Sequence, residues 1–162
     1  MLIENPDGTQ VYASRRFAAP VSRLWRAFTE PADMAAWMWA GYGMNAVAES
    51  DPRIGGHYSV YTDSNATADG WHSDRIGRLG IYLDIVPEQR LAYTLHWDAP
   101  VGYNQRGDGV ADEAMLVAFR SAGDESFAEV RHLGIPDDGL SAVEHGKALA
   151  AEFDYLADLV EG

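Results

Sequence analysis

The apolar and polar positions along the chain predict a strand, two short helices, a long series of strands and a final helix. Val11–Phe17 begins with period-two alternation, which is typical of a strand. After Pro20, apolar residues recur at the helical spacing i, i+3, i+4 and i+7. These residues are Val21, Leu24, Trp25 and Phe28. Pro31 ends this helix and opens a second, short one that continues through about Met38.

The middle of the chain consists of runs rich in β-branched and aromatic residues, separated by compact turns such as "VPEQR" and "SAGDES". Short turns of this kind join neighbouring antiparallel strands. The predicted strands are "NAVAES", "GGHYSVYT", Arg75–Val86, Arg90–Asp98, Glu113–Arg120 and Ser126–Leu133. Two connections, Thr62–Asp74 and Asp98–Asp112, are longer, polar and glycine-containing. Loops of this length are often functional, so both are candidate gates for a pocket.

The last segment predicts a helix of about 20 residues, which is about 30 Å long. Ser141 and Glu144 have the spacing of a capping box at its start. Its apolar stripe consists of Leu149, Phe153, Leu156 and Val160. Three acidic residues lie off that stripe and are expected to face water: Asp154, Asp158 and Glu161.

These elements predict a single α+β domain over residues 1–162. We expect a curved antiparallel sheet of six to seven strands that wraps around the long C-terminal helix, with the two short helices after the first strand. A sheet with one apolar face must cover that face, and the final helix is the element long enough to do so. A bent sheet around one helix leaves a space between them, so the pattern predicts a pocket there.

Composition narrows the functional classes. The net charge is −13, with 25 acidic and 12 basic residues, which disfavours nucleic-acid binding because that depends on Lys and Arg. There is no cysteine, and no run of about 18 apolar residues that would span a membrane. The first residues lack the pattern of a signal peptide, so we expect a cytoplasmic protein. His72, Asp74 and Glu113 do not form a recognised metal motif, and the sequence indicates no cofactor.

Three motifs resemble the SRPBCC superfamily, which has a START-like helix-grip fold, and within it the group related to the activator of the ninety-kilodalton heat-shock protein ATPase. The first motif is a strand arginine followed by two helices with tryptophans: Arg16, Pro20, Trp25, Thr29, Pro31 and Trp37. The second is an R-x-G-G turn at Arg53, Gly55 and Gly56. The third is the strand motif G-x-Y-L-x-I-x-P at Gly80, Tyr82, Leu83, Ile85 and Pro87.

The resemblance extends from about Tyr12 to Leu159 and implies the helix-grip fold with a hydrophobic cavity. Members of the superfamily include lipid carriers, polyketide cyclases and co-chaperones, so the resemblance implies no single activity. The chain departs from the family where Gly146 is followed by Lys147 instead of tryptophan.

Strand alternation predicts which side chains face the cavity. The mixture is mainly apolar with a few polar groups, as in many small-molecule pockets. The predicted ligand-binding residues are Trp37, Trp39, Tyr58, Val60, Tyr82, Tyr93, Leu95, Met115, Val117, His132 and Phe153. Trp37 is expected to belong mainly to the core, whereas Trp39 lies off the shared helix face and is expected near the opening. His132 either exchanges protons or simply hydrogen-bonds a neighbour. Arg53 either anchors an anionic ligand or pairs with an acidic residue.

Three functions remain open. The first is the binding of a small hydrophobic or aromatic molecule between the sheet and the helix. The second is a cyclase- or hydrolase-type enzyme in the same pocket, which needs at least two positioned proton-transfer groups. The sequence offers His132, with Tyr82 or Tyr93 as the candidates for a second group. The third is a chaperone-associated domain, which predicts an exposed apolar patch at Met34, Trp37, Met38 and Trp39. A homodimer is possible in each case.

Overall fold

A computed structural model describes residues 1–40, 45–62, 76–98 and 113–162 of the chain. Its helices are α1 (Val21–Thr29), α2 (Pro31–Trp37) and α3 (Ser141–Glu161). Its strands are β1 (Leu2–Glu4), β2 (Val11–Phe17), β3 (Ala46–Ser50), β4 (His57–Thr62), β5 (Gly77–Val86), β6 (Arg90–Asp98), β7 (Glu113–Ala122) and β8 (Glu125–Leu133). The two predicted loops lie almost entirely outside the described residues, at 63–75 and 99–112, as do residues 41–44.

The strands form one antiparallel sheet in the order β1-β2-β8-β7-β6-β5-β4-β3. The fold is therefore α+β, with a single sheet and a C-terminal helix, and it matches the predicted helix-grip class. The predicted count of six to seven strands is wrong, because the sheet has eight. The additional strand, β1, has three residues, all exposed, at the edge of the sheet. A segment this short shows no periodicity that would reveal it.

Helix α3 covers the inner face of the sheet. Its predicted apolar stripe is buried at Leu149, Phe153, Leu156 and Val160, and its predicted polar residues Asp154, Asp158 and Glu161 are exposed. The backbone of α3 lies close to β2, α1 and α2. On the side of β5 to β8, long side chains bridge the gap between the helix and the sheet, as in the contact between Arg78 and Glu152. A space therefore remains on that side.

The prediction of a capping box that begins at Ser141 is wrong. Ser141 is already the first helical residue, and the residue at the N-cap position, Leu140, makes no side-chain capping hydrogen bond. Asp138 supplies the cap. Its carboxylate accepts hydrogen bonds from the backbone N–H groups of Leu140 and Ser141 at 2.9 and 2.7 Å, and from Ser141 Oγ at 2.6 Å. Three hydrogen bonds to the ionised form lower the pKa of Asp138 to about 2.

None of the helices within the described ranges is both long enough and apolar enough to cross a lipid bilayer.

Candidate functional site

A cavity of about 50 Å³ lies between the sheet and α3. Strands β5 to β8 and the first three turns of α3 form its walls, and one residue after α2 closes it. The lining combines aromatic, aliphatic and ionisable side chains. They are Trp39, Arg78, Leu95, Trp97, Met115, His132, His145, Ala148, Leu149 and Glu152.

A buried ion pair between the sheet and the helix forms one wall of the cavity. Arg78 Nη2 donates to Glu152 Oε1 at 2.6 Å, and Arg78 Nη1 donates to Glu152 Oε2 at 3.3 Å. The two side chains are only 10% and 6% exposed. Burial acts to lower the pKa of Arg78, but the charge and the hydrogen bonds of Glu152 outweigh it and raise the pKa. The guanidinium group therefore stays charged, and it lies over the rings of Trp39 and Trp97, at 5.4 and 6.0 Å from their centroids.

Trp39 owes its position to the same ion pair. Its backbone has a φ of 75°, in the left-handed region that non-glycine residues seldom adopt. The Trp39 backbone N–H donates to Glu152 Oε1 at 3.3 Å, and its Nε1 donates to the Val60 carbonyl at 3.0 Å. Trp39 is 1% exposed. Its predicted position near an opening is therefore wrong, since the turn after α2 directs the ring inward and against the cavity.

A second polar group extends the cavity lining on β7 and β8. Trp97 Nε1 donates to Glu113 Oε2 at 2.5 Å, and His132 Nε2 lies 3.5 Å from the same oxygen. Burial acts to raise the pKa of Glu113, but hydrogen bonding and charge from His132, with smaller effects of His145 and Trp97, bring it below the usual value. Glu113 is therefore ionised at neutral pH.

His145 on α3 completes this group. Its ring stacks on Trp97 at 5.6 Å and meets the His132 ring edge-on at 4.8 Å between centroids. Burial, reinforced by the charge of His132, lowers the pKa of His145 to about 4. His145 is therefore neutral at pH 7, whereas Glu113 beside it is charged.

Two buried nitrogen atoms of the cavity-lining residues lack a well-formed hydrogen bond. They are Arg78 Nε and His132 Nε2. Buried polar groups are normally satisfied, so each such atom needs an explanation. Both atoms belong to side chains that face the same cavity.

The structure divides the eleven predicted ligand-binding residues into two sets. Four line the cavity: Trp39, Leu95, Met115 and His132. The other seven are buried in the core: Trp37, Tyr58, Val60, Tyr82, Tyr93, Val117 and Phe153. Strand alternation therefore placed these side chains on the inner face but did not show which of them border empty space.

The three predicted tyrosines pack against one another, with ring centroids 5.0 to 6.2 Å apart. The Tyr58 hydroxyl donates to the Thr94 carbonyl at 2.7 Å, and the Tyr82 hydroxyl bonds Ser50 Oγ at 2.8 Å. Burial raises the pKa of Tyr93 and of Tyr58 well above the ordinary value, so both stay protonated. They act in the core as neutral, packed side chains.

Two further predictions concern exposed features. The prediction of an exposed apolar patch is wrong, since the four residues concerned are each at most 3% exposed: Met34, Trp37, Met38 and Trp39. Arg53 pairs with Asp51, with Arg53 Nε donating to Asp51 Oδ2 at 2.7 Å, in agreement with the ion-pair interpretation. No group of three or more potential metal ligands is close enough to hold an ion within the described ranges, and His72 and Asp74 lie outside them.

Sequence reasoning missed Arg78, Glu113, His145 and Glu152 as site residues. A signal was available for each. Arg78 has the same strand parity as Tyr82, and Glu113 has that of Met115. His145 and Glu152 lie four residues before and three residues after Leu149, on the apolar side of the helix. A charged side chain at an inward-facing position indicates a buried polar site.

A larger concavity, of about 400 Å³, lies on the opposite face of the sheet. Its charged side chains have partners within the chain: Arg90 pairs with Asp84, and Arg131 lies over the ring of Tyr12. The lining of this concavity contains none of the buried atoms that lack a well-formed hydrogen bond. The cavity between the sheet and α3 is therefore the stronger candidate site.

The single antiparallel sheet covered by a C-terminal helix defines a helix-grip protein. Residues 18–161 match the family model of the Activator of Hsp90 ATPase homolog 1-like protein. The chain belongs to this family, which is part of the SRPBCC superfamily, and the predicted resemblance is confirmed.

Solved structures support the same fold. Protein CV1439 from Chromobacterium violaceum is 25% identical, with a TM-score of 0.73 over 95% of this chain and 98% of that chain. A protein from Rhodobacter sphaeroides is 18% identical, with a TM-score of 0.77 over 99% and 97%. An AHSA1-like protein from Aeromonas hydrophila is 16% identical, with a TM-score of 0.67 over 93% and 92%. The comparison with curated proteins gave no significant match.

Proposed function

We propose that the protein binds a small molecule at the cavity between β5–β8 and α3. The observation that carries the proposal is the lining itself, in which the aromatic rings of Trp39 and Trp97 surround buried polar groups. Small-molecule sites typically combine apolar walls with a few fixed polar groups in this way. The family supports the proposal at the level of the fold.

The size of the cavity limits what it holds. At about 50 Å³, it has room for a few non-hydrogen atoms, since one water molecule needs roughly 10–15 Å³ of such space. Pockets for whole ligands are larger, at about 300–1,000 Å³. The described residues therefore take one end of the ligand. The hydrophobic or aromatic remainder extends beyond them.

The experiment blocks the cavity without changing its polar groups. Ala148 lines the cavity, so Ala148→Leu places three additional carbon atoms in it. Ala150→Leu is the matched control, because Ala150 lies on the same helix with comparable exposure and is not part of the lining. Small aromatic compounds that raise the thermal midpoint of the wild-type protein should bind Ala150→Leu with unchanged affinity and Ala148→Leu at least about tenfold more weakly. Equal binding to both variants would refute the proposed location.

A second candidate function is proton-transfer catalysis in the same cavity, favoured by the cluster of Glu113, His132 and His145. An enzyme of the cyclase or hydrolase type needs two positioned proton-transfer groups, and this cluster offers them. The test is turnover of compounds that bind. Loss of turnover in His132→Gln with binding retained would favour the enzyme, and binding without any chemical change would leave the carrier function.

A further inference from the structure

The charges around the cavity indicate which chemical group its occupant carries. Arg78 contributes one positive charge, and Glu152 and Glu113 contribute two negative ones. His145 is neutral at pH 7. Arg78, Glu152 and Glu113 together therefore carry a net charge of −1 around the cavity. The single guanidinium is already paired with Glu152 through two hydrogen bonds.

An anion would be poorly held in such a cavity. It would meet the carboxylate of Glu152 in the lining and lie near that of Glu113, which contacts the lining residues Trp97 and His132, with no unpaired positive charge among the described groups to compensate. Moving an ionised group out of water without a partner is costly, so the site selects against carboxylates and phosphates.

The two buried nitrogen atoms without a well-formed hydrogen bond specify what is needed instead. Arg78 Nε–H is a donor under all conditions. His132 Nε2 lies 3.5 Å from the ionised Glu113 Oε2, and a carboxylate so close favours the tautomer that carries hydrogen on Nε2. Arg78 Nε–H is therefore a buried donor without an acceptor, and His132 Nε2–H is a buried donor whose contact with Glu113 is longer than a well-formed hydrogen bond.

We propose that the occupant of the cavity is the uncharged oxygen of a carbonyl or hydroxyl group, which accepts hydrogen bonds from Arg78 Nε and His132 Nε2. The inference rests on the proposed small-molecule function and specifies its ligand class. A hydroxyl group has a further advantage, because its own hydrogen can be donated to the Glu152 carboxylate in the lining. Apolar atoms next to this oxygen would lie against Met115 and Leu149.

The test compares four probes that share one ring: benzyl alcohol, benzaldehyde, benzoate and toluene. Affinities are measured at pH 7 by isothermal titration calorimetry or by titration of protein NMR signals. We expect the alcohol and the aldehyde to bind at least about tenfold more tightly than benzoate, because of its charge. We also expect them to bind more tightly than toluene, which leaves both donors without an acceptor.

A charge-removing variant sharpens this test. Glu113→Gln keeps the shape of the side chain but removes one negative charge, so it should reduce the discrimination against benzoate by about tenfold. Glu49→Gln is the matched control, because Glu49 is an exposed glutamate on edge strand β3 and should leave the ratio unchanged. The wild-type comparison stands even if Glu113→Gln folds poorly, which circular dichroism would reveal.

The outcomes separate the two proposals. If benzoate binds the wild-type protein as tightly as benzyl alcohol, the inference on ligand class is overturned while the binding function stands. If toluene binds as tightly as the alcohol, the two donors play no part, and the inference is likewise overturned. If none of the four binds at millimolar concentration, the result contradicts both the ligand class and the proposed function.

Discussion

The two ends of the interior are built on different principles. Near α1 and α2, aromatic rings pack against one another: between ring centroids, Phe28 lies 5.0 Å from Trp37 in a tilted arrangement and 5.2 Å from Phe119 edge to face. Near the start of α3, the space between sheet and helix contains ionised and neutral polar groups instead, with Arg78 and Glu152 at the centre. The first end resembles an ordinary protein core, whereas the second buries charge around a cavity.

The two ends therefore differ in how much their packing contributes to the stability of the fold. Aromatic packing stabilises the fold mainly by burying apolar area. A buried ion pair contributes little net stability compared with apolar side chains of the same volume, because both charges must be desolvated. Under the proposed binding function, the pair is retained because it holds polar groups in place beside the cavity.

The largest expected effect comes from breaking the ion pair on one side. Glu152→Ala leaves the Arg78 charge buried without a partner and removes the acceptor of the Trp39 backbone N–H. Unfolding in urea should show a loss of about 3–5 kcal/mol. Asp154→Ala, two residues later, breaks the exposed pair with Arg15 and should cost less than about 1 kcal/mol.

The double variant Arg78→Met with Glu152→Leu completes this test, because it replaces both charges by apolar groups of similar size. It should recover most of the stability that Glu152→Ala loses. Equal destabilisation by Glu152→Ala and Asp154→Ala would contradict the view that this charge is effectively buried.

The next effect is a dependence of stability on pH that arises at the polar end. Burial lowers the pKa of His145 to about 4 from an ordinary value of 6.5. Between these values the unfolded chain binds a proton that the folded protein excludes, so the free energy of unfolding falls as the pH drops from 6.5 towards 4. The expected loss is on the order of 2 kcal/mol. Glu113, whose pKa is below its ordinary 4.5, adds a loss only at lower pH.

Denaturant unfolding at pH 7 and pH 5 measures this effect. His145→Asn should flatten the difference between the two pH values, whereas His57→Asn, at an exposed position on β4, should preserve it. An unchanged difference in His145→Asn would show that other groups cause the pH dependence.

The smallest expected effect on ligand binding lies at the aromatic end. The Ala27 carbonyl would accept a helical hydrogen bond from residue 31, but Pro31 has no N–H, and Trp37 Nε1 donates to this carbonyl at 2.8 Å instead. Trp37→Phe keeps an aromatic ring and leaves the carbonyl without that donor, so it should cost about 1–3 kcal/mol. Affinity for the probes should stay within about twofold of wild type. A tenfold change in affinity would mean that the two ends are coupled.

The sequence predicted the fold far better than the site. Strand alternation correctly placed Tyr58, Tyr93 and Val117 inside, because a side chain's face follows from its parity once one neighbour is known. The stripe on α3 followed from helical periodicity in the same way. Both signals are local, and so they are readable from the chain alone.

The site depends on pairs that are distant in the sequence. Arg78 and Glu152 are separated by 74 positions, so no local pattern connects them. Helical periodicity predicts Trp39 near an opening. In the structure the residue instead has a left-handed backbone conformation, held by Glu152, which no helical pattern predicts. Cavity volume depends on how far α3 lies from β5–β8, which periodicity does not determine.

The central claim is that the ligand enters at the polar end, and the indole N–H signals of the tryptophans test it most directly. Titration of benzyl alcohol into ¹⁵N-labelled protein should shift the signals of Trp39 and Trp97, which line the cavity, and leave those of Trp25 and Trp37 in place. Saturable shifts of Trp25 and Trp37 with Trp39 and Trp97 unchanged would contradict the account, because binding would then occur at the aromatic end.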